Sequence, residues 1–193
     1  MNNKIENAIN QINLSNAIIS EGAISVLSAL FSDNSNILKI ILRQGVENRN
    51  TQKILSVAKR KNIAVEYFSH EEIQKFEESI NNAGLYSIGK THGGIIAIVS
   101  KRKFISPNEL ISGLPENQEY LSIAIIEGIE DPYNLGYAAR ALYTQGVDAL
   151  VLPERDFGFS ESIIEKASTG TFSKMPVAVF SKDINAKIAL INL

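Results

Sequence analysis

A strand, a tight turn and a helix follow one another early in the C-terminal half of the chain, and this arrangement constrains the fold most. The apolar run Ile123–Ile126 predicts a buried strand. The turn Asp131-Pro132 follows, and Asn134 then opens a segment with helical spacing that carries Arg140. In open α/β sheets, ligands bind beyond the carboxyl ends of strands, and a helix N-terminus attracts anions. This arrangement predicts a parallel α/β layer with a ligand site at one edge.

Strand and helix patterns alternate over most of the chain. Before residue 104 we predict strands at 37–42, 63–68 and 94–100 and helices at 21–31, 51–61 and 69–81. After residue 120 we predict strands at 121–126, 148–152 and 176–180 and helices at 134–145, 160–166 and 183–193. Such alternation indicates an α/β protein with helices on both faces of mostly parallel sheets.

The two halves are joined by a segment with the composition of a linker. Residues 104–120, FISPNELISGLPENQEY, contain two of the five prolines and several polar residues. We therefore predict one domain at 1–103, a linker at 104–120 and a second domain at 121–193. Three strands would leave the sheet of the second domain with an unpaired edge, so that domain is expected to be incomplete.

Composition excludes several classes of protein. Cysteine is absent, which excludes disulfides and thiolate metal sites, and no dinucleotide loop, P-loop or hydrolase elbow occurs. The polar N-terminus lacks the apolar core of a signal peptide, and no apolar run approaches the ~18–20 residues that span a bilayer. We expect a soluble, cytoplasmic protein without a metal site. Residues 1–103 carry 13 basic and 9 acidic side chains, which suits a polyanionic partner, although charge alone favours ordinary surface variation.

Each candidate functional residue also has a purely structural interpretation. Asn134 is either a helix N-cap or part of a ribose-phosphate site, and Arg140 is either an exposed helix residue or a forked phosphate contact. Ser168-Thr169-Gly170 either closes a helix at Gly170 or brings backbone close to a ligand. His92 is better explained as a turn residue than as a catalytic one, and Lys101-Arg102-Lys103 as a solvated face.

Several motifs together resemble one enzyme family. Asp131-Pro132-Tyr133-Asn134-Leu135-Gly136, followed by Arg140 and by Gly146-Val147-Asp148, is similar to the first motif of the SpoU, or TrmH-like, RNA ribose 2′-O-methyltransferases of the SPOUT class. Ser168-Thr169-Gly170 is similar to their second motif. His92-Gly93-Gly94 resembles the end of their N-terminal RNA-binding domain, and the likeness covers about residues 20–180.

The resemblance implies a fold and a reaction. The first domain is expected to be a ribosomal-protein-like α/β/α sandwich, and the second a SPOUT-type parallel α/β domain. The family transfers a methyl group from S-adenosylmethionine to a ribose 2′-hydroxyl of ribosomal or transfer RNA, as a homodimer. Its third motif and the knotted C-terminal part are absent here. We therefore expect a truncated, frameshifted or partial chain with an incomplete cofactor pocket, or alternatively a non-catalytic RNA-binding protein.

The resemblance also assigns roles to residues. Arg140 is expected to be catalytic, with Asn134 orienting Arg140 or the ribose. Three residues are expected to bind the cofactor: Ser168, Thr169 and Gly170. Four residues are expected to contact RNA: His92, Lys101, Arg102 and Lys103.

Overall fold

A computed structural model describes residues 3–14, 17–83, 88–89, 91–113, 120–155, 157 and 160–181. The chain divides into an N-terminal unit, Met1–Lys101, and a C-terminal unit, Arg102–Leu193. The boundary that we predicted after residue 103 therefore lies two residues too late. The helix predicted at 183–193 lies outside the described residues.

The N-terminal unit contains one four-stranded sheet in the order β1-β4-β2-β3. Its elements are α1 Asn3–Leu14, β1 Ile18–Glu21, α2 Gly22–Leu30, β2 Ile37–Arg43, α3 Arg49–Arg60, β3 Val65–Phe68, α4 His70–Asn82 and β4 Ile95–Val99. Only β2 and β3 are parallel, whereas β4 runs antiparallel to both β1 and β2. The prediction of a mostly parallel sheet is therefore wrong for this unit. Alternation of strand and helix patterns does not by itself set strand direction, because direction depends on pairing between strands that are distant in sequence.

Helices cover both faces of this sheet because successive strand residues point to opposite sides. Ile41 and Ile96 pack in a cluster with residues of α1 and α4, including Phe76. Ile40 and Ala97, their immediate neighbours in sequence, pack instead with residues of α2 and α3. The unit thus has three layers, and α4 begins with the predicted capping box between Ser69 and Glu72.

The C-terminal unit has three parallel strands, as predicted, and their order in the sheet is β5-β6-β7. Its elements are α5 Pro107–Ser112, β5 Ile123–Ile125, α6 Pro132–Thr144, β6 Ala149–Pro153, α7 Ser160–Ala167, a 3-10 turn Phe172–Lys174 and β7 Val177–Phe180. Different helices cover the two faces of this sheet. Leu150 packs with residues of α6 and α7, and Val151 packs with Leu110 of α5.

Part of the predicted linker belongs to the C-terminal unit. Ile105 forms a parallel bridge with Ala178 of β7, and Leu110 of α5 is buried. Ser106 caps α5 through a second capping box, which explains why polar residues that resemble a loop form a helix. Residues 114–119 of the predicted linker lie outside the described residues. Among the residues that the structure describes, no helix is long and apolar enough to cross a membrane.

Candidate functional site

Helix α6 carries Asn134 and Arg140, and both side chains are exposed. Asp131 is the N-cap of this helix, because its Oδ1 accepts a hydrogen bond of 2.8 Å from the backbone N–H of Asn134. The interpretation of Asn134 as the N-cap is therefore wrong. Six residues of helix separate Asn134 from Arg140 by about 9 Å along the axis and by about 120° around it. No hydrogen bond joins the two side chains in the described part of the unit.

Gly136 lets α6 pack directly against the end of α7. A Cβ atom added at this position would lie 2.5 Å from Cβ of Ala167, 2.8 Å from the carbonyl oxygen of Ile164 and 3.1 Å from the backbone nitrogen of Ser168. A helix-interior glycine costs about 1 kcal/mol relative to alanine, so its presence needs a packing reason. The glycine therefore brings the helix of Asn134 and Arg140 against the segment that begins at Ser168.

We expect Gly136→Ala to destabilise the C-terminal unit by about 3 kcal/mol, because the added methyl group overlaps both a side chain and backbone of α7. Urea unfolding followed by circular dichroism would measure the change. Helix propensity alone predicts the opposite sign, a gain of about 1 kcal/mol. A more stable variant would therefore contradict close helix packing at this glycine.

Helix α7 ends in a tight, internally bonded loop. The N–H of Gly170 donates to the carbonyl of Glu165 at 2.8 Å, and the N–H of Thr169 donates to the carbonyl of Lys166 at 3.1 Å, which is the Schellman pattern. Thr169 occupies the left-handed position with φ 57°, and Gly170 follows with φ 77°. We predicted that Gly170 ends the helix, but the left-handed residue that ends it is Thr169, one position earlier. Thr169 is β-branched, and such residues rarely adopt this conformation.

The loop also uses most of its polar atoms internally. Ser168 is fully buried, and its Oγ donates to the carbonyl of Glu165 and accepts from the N–H of Phe172. The N–H of Thr171 donates to the carbonyl of Ser168. Within the described ranges, no hydrogen bond reaches the carbonyl oxygens of Thr169 and Gly170. The hydrogen-bonding groups of the loop that stay unused are therefore carbonyl acceptors rather than N–H donors.

We expect Thr169→Gly to stabilise the C-terminal unit by about 1 kcal/mol, because it removes the strain of a β-branched residue in the left-handed region. Thr171→Gly is the matched control. Thr171 has an ordinary φ of −72°, and its hydroxyl donates to the carbonyl of Ser168, so its replacement should lower stability by a similar amount. The denaturant midpoint should rise in Thr169→Gly and fall in Thr171→Gly, and measuring both midpoints tests this difference.

Arg102 lies inside the C-terminal unit rather than on an RNA-facing surface. Only 5% of the residue is exposed. Its guanidinium donates to the carbonyl of Phe172 at 2.7 Å and to the carbonyl of Met175, and it lies 4.5 Å from the centre of the Phe172 ring. The assignment of Arg102 to RNA binding is therefore wrong, because the side chain is buried and two of its guanidinium nitrogens donate to backbone carbonyls of residues 172 and 175.

Two buried carboxylates accompany this arginine. Glu161 accepts from the backbone N–H of Arg102 at 2.7 Å, and Glu165 is nearly as buried. Burial raises the pKa of Glu165 above its ordinary value, while hydrogen bonds from Ser173 and the charge of Arg102 oppose that rise. Burial also lowers the pKa of Arg102, against the attraction of both carboxylates. Sequence inspection missed this network, and no local pattern distinguishes Arg102 from its basic neighbours.

His92 is a buried structural residue of the N-terminal unit. Its Nδ1 accepts a hydrogen bond of 3.0 Å from the N–H of Gly94, so the proton of the neutral ring lies on Nε2, which is 2.7 Å from Oε1 of Glu77. Both ring nitrogens are thus used within the unit, as the turn interpretation predicts. The assignment of His92 to RNA binding stays a prediction. Lys101 is half-buried and Lys103 is exposed, and their roles stay predictions.

Comparison with known proteins shows which proteins the chain resembles. Residues 20–105 match the family described as RNA 2′-O ribose methyltransferase substrate binding. A protein of Staphylococcus epidermidis named as a TrmH family tRNA/rRNA methyltransferase is 28% identical over 160 residues. The chain is thus similar to SpoU/TrmH methyltransferases over residues 20–105 and over the aligned 160 residues. This result confirms the resemblance that the motifs predict.

The likeness extends to the fold. An rRNA methyltransferase from Sinorhizobium meliloti has a TM-score of 0.64 at 14% identity, covering 95% of this chain and 64% of that one. Its form with bound AdoMet has a TM-score of 0.62 at the same identity, covering 94% and 63%. At this identity the likeness shows a shared fold only. The alignment with the S. epidermidis relative covers 83% of this chain but 59% of the relative, so the chain spans about three fifths of that protein.

Proposed function

We propose that the protein is an RNA methyltransferase. It would transfer a methyl group from S-adenosylmethionine to a ribose 2′-hydroxyl of ribosomal or transfer RNA. One observation carries this proposal. The glycine contact between α6 and α7 brings the helix of Asn134 and Arg140 against the strained loop at Thr169. Backbone strain of this kind persists where the surrounding structure enforces it, and it is frequent in ligand sites.

The loop at residues 168–170 can supply hydrogen-bond acceptors to the methyl donor. The carbonyl oxygens of Thr169 and Gly170 can accept hydrogen bonds from the amino group or hydroxyls of an adenosine. The hydroxyl of Ser168 is used within the loop, where it donates to the carbonyl of Glu165 and accepts from the N–H of Phe172. When bound, S-adenosylmethionine supplies an electrophilic methyl group on a sulfonium. We therefore assign Thr169 and Gly170 to donor binding, and Ser168 to positioning.

Arg140 is the residue that we assign to the RNA side of the reaction. The 2′-hydroxyl must lose a proton as it attacks, yet a guanidinium is protonated at neutral pH and is a poor base. Arg140 instead holds the neighbouring phosphate and stabilises the negative charge that develops on oxygen. Asn134, on the exposed first turn of α6, orients the ribose, since it does not contact Arg140. Holding both substrates together contributes much of the acceleration.

The N-terminal unit is proposed to bind the RNA substrate as a ribosomal-protein-like α/β/α sandwich, and the C-terminal unit to be a SPOUT-type domain. The excess of basic residues in positions 1–103 supports an RNA partner. Tyr133 and Tyr137, one turn apart, leave two exposed aromatic rings on one face of α6. This face supports the homodimer that the family resemblance implies. We place the activity in the cytoplasm.

Isothermal titration of the 193-residue chain with S-adenosylmethionine tests donor binding, and we expect micromolar affinity. Gly170→Ala should weaken binding, because alanine is strained at φ 77°. Gly146→Ala is the matched control, since it imposes the same strain at φ 82° with nothing within 4 Å of the added Cβ. Absence of binding by the unmodified chain would contradict a donor site formed by these residues.

The second candidate is an RNA-binding protein without catalysis. The internal use of every N–H from Ser168 to Thr171 favours it, because such a loop offers the donor few contacts. RNA binding without any S-adenosylmethionine binding would support this second function. Transfer of a labelled methyl group to RNA would exclude it.

A further inference from the structure

The N-terminal unit contains a cleft that no role assigned so far uses. It has a volume of about 280 Å³ and lies where the parallel strands β2 and β3 end and α4 begins. This is the edge of a sheet at which α/β proteins bind ligands. Its polar lining comes from five side chains: Arg43, His70, Gln74, Glu77 and His92.

Arg43 brings an uncompensated positive charge into the cleft. The residue is half-buried, and its guanidinium forms no hydrogen bond or ion pair with any residue that the structure describes. Gly94 makes room for it, since an added Cβ there would lie 2.7 Å from Cβ of Arg43 and 3.2 Å from its Nε. Any side chain at Gly94 would therefore displace the arginine.

Glu77 brings the opposite charge to the same cleft. Its side chain is 19% exposed, and its Oε1 lies 2.7 Å from Nε2 of His92, whose Nδ1 accepts the N–H of Gly94. Although Arg43 and Glu77 both line the cleft, no ion pair within 4.0 Å joins them. Two opposite charges that share a cleft without pairing suit a ligand that presents both acceptors and donors.

We propose that this cleft binds an unpaired guanine of the RNA substrate. Guanine presents adjacent acceptors, O6 and N7, to the forked guanidinium of Arg43, and its N–H donors suit the carboxylate of Glu77. His70, exposed at the start of α4, provides a ring on which the base stacks, and Gln74, one turn further on, provides an amide. This assignment rests on the proposed RNA-binding function, and it specifies guanine as the base that the N-terminal unit recognises.

Fluorescence anisotropy with the full chain tests the assignment. The probes are labelled decauridines with a central guanine, adenine, cytosine or uracil. We expect the guanine probe to bind about tenfold more tightly than the other three. Arg43→Gln and Glu77→Gln should each remove that preference, and the second variant keeps the hydrogen bond from His92. Arg60→Gln, which removes an equivalent charge at the far end of α3, should weaken all four probes alike.

Equal affinity for the four probes, or no binding of any of them, would overturn the assignment. It would also be overturned if the guanine preference survived in folded Arg43→Gln and Glu77→Gln proteins. Failure of methyl transfer is a separate result. A chain that prefers guanine but does not bind S-adenosylmethionine would retain the base site and lose only the proposed catalysis.

Discussion

Replacing Arg140 by alanine is expected to reduce methyl transfer to RNA by about 10²- to 10³-fold, while the protein stays folded. The side chain is exposed, and it forms no hydrogen bond or ion pair with the described residues, so stability does not depend on it. Its loss removes only the charge that would hold phosphate and oxyanion. Transfer of a tritium-labelled methyl group from S-adenosylmethionine to RNA, measured beside thermal unfolding, separates the two effects.

Arg140→Lys is the informative control for this variant. Lysine keeps the positive charge but loses the planar fork, so activity should fall between that of the alanine variant and that of the unmodified protein. Unchanged activity in Arg140→Ala would contradict the assigned role. So would a loss of activity that accompanies unfolding, because an exposed side chain without partners has no such structural function.

The C-terminal sheet could be predicted from sequence because its strands are short, wholly apolar runs separated by helical patterns. The observed β6, Ala149–Pro153, differs from the predicted 148–152 by a single residue at each end. Gly146 follows α6 with φ 82°, as expected of a residue that ends a helix. In this sheet the local sequence preference and the final packing agree, so the hydrophobic pattern is enough to predict the strands.

The N-terminal sheet was less predictable because its strand directions depend on distant pairing. Strand β1 is only four residues long and gives no periodic signal, yet it pairs with β4, with Ile18 opposite Val99. Helix α1, which was also missed, buries Ile5 and Ala8 against the face that α4 covers. Both elements are stabilised by contacts that are remote in sequence, and these cannot be read from a local pattern.

The candidate site also combines features suggested by sequence motifs with features that depend on tertiary contacts. Asn134 and Thr169 were nominated through the motif resemblance, and their roles stay predictions. The contact at Gly136 and the burial of Arg102 were not predicted from sequence, because both depend on α7 and on the segment that follows it. Three adjacent basic residues, 101–103, look alike in sequence, and only tertiary structure separates the buried arginine from the exposed Lys103.

Replacing that buried arginine gives the largest expected effect on stability. We expect Arg102→Met to destabilise the C-terminal unit by about 3–5 kcal/mol, because it leaves Glu161 and Glu165 buried without their counterion. The carbonyls of Phe172 and Met175 also lose their donors. Hydrogen exchange should therefore accelerate across residues 160–180 and stay unchanged in the N-terminal unit. Lys103→Met, the exposed neighbour, should change stability by less than about 0.5 kcal/mol.

The pH dependence of this loss distinguishes an unpaired charge from a packing defect. Burial already raises the pKa of Glu165 above its ordinary value of 4.5, and removal of Arg102 raises it further. A carboxyl with a higher pKa in the folded than in the unfolded chain gains stability as the pH falls toward that ordinary value. The destabilisation should thus shrink between pH 7 and pH 5, and Glu165→Gln should rescue part of it at pH 7. A pH-independent loss without rescue would mean that Arg102 acts through its volume alone.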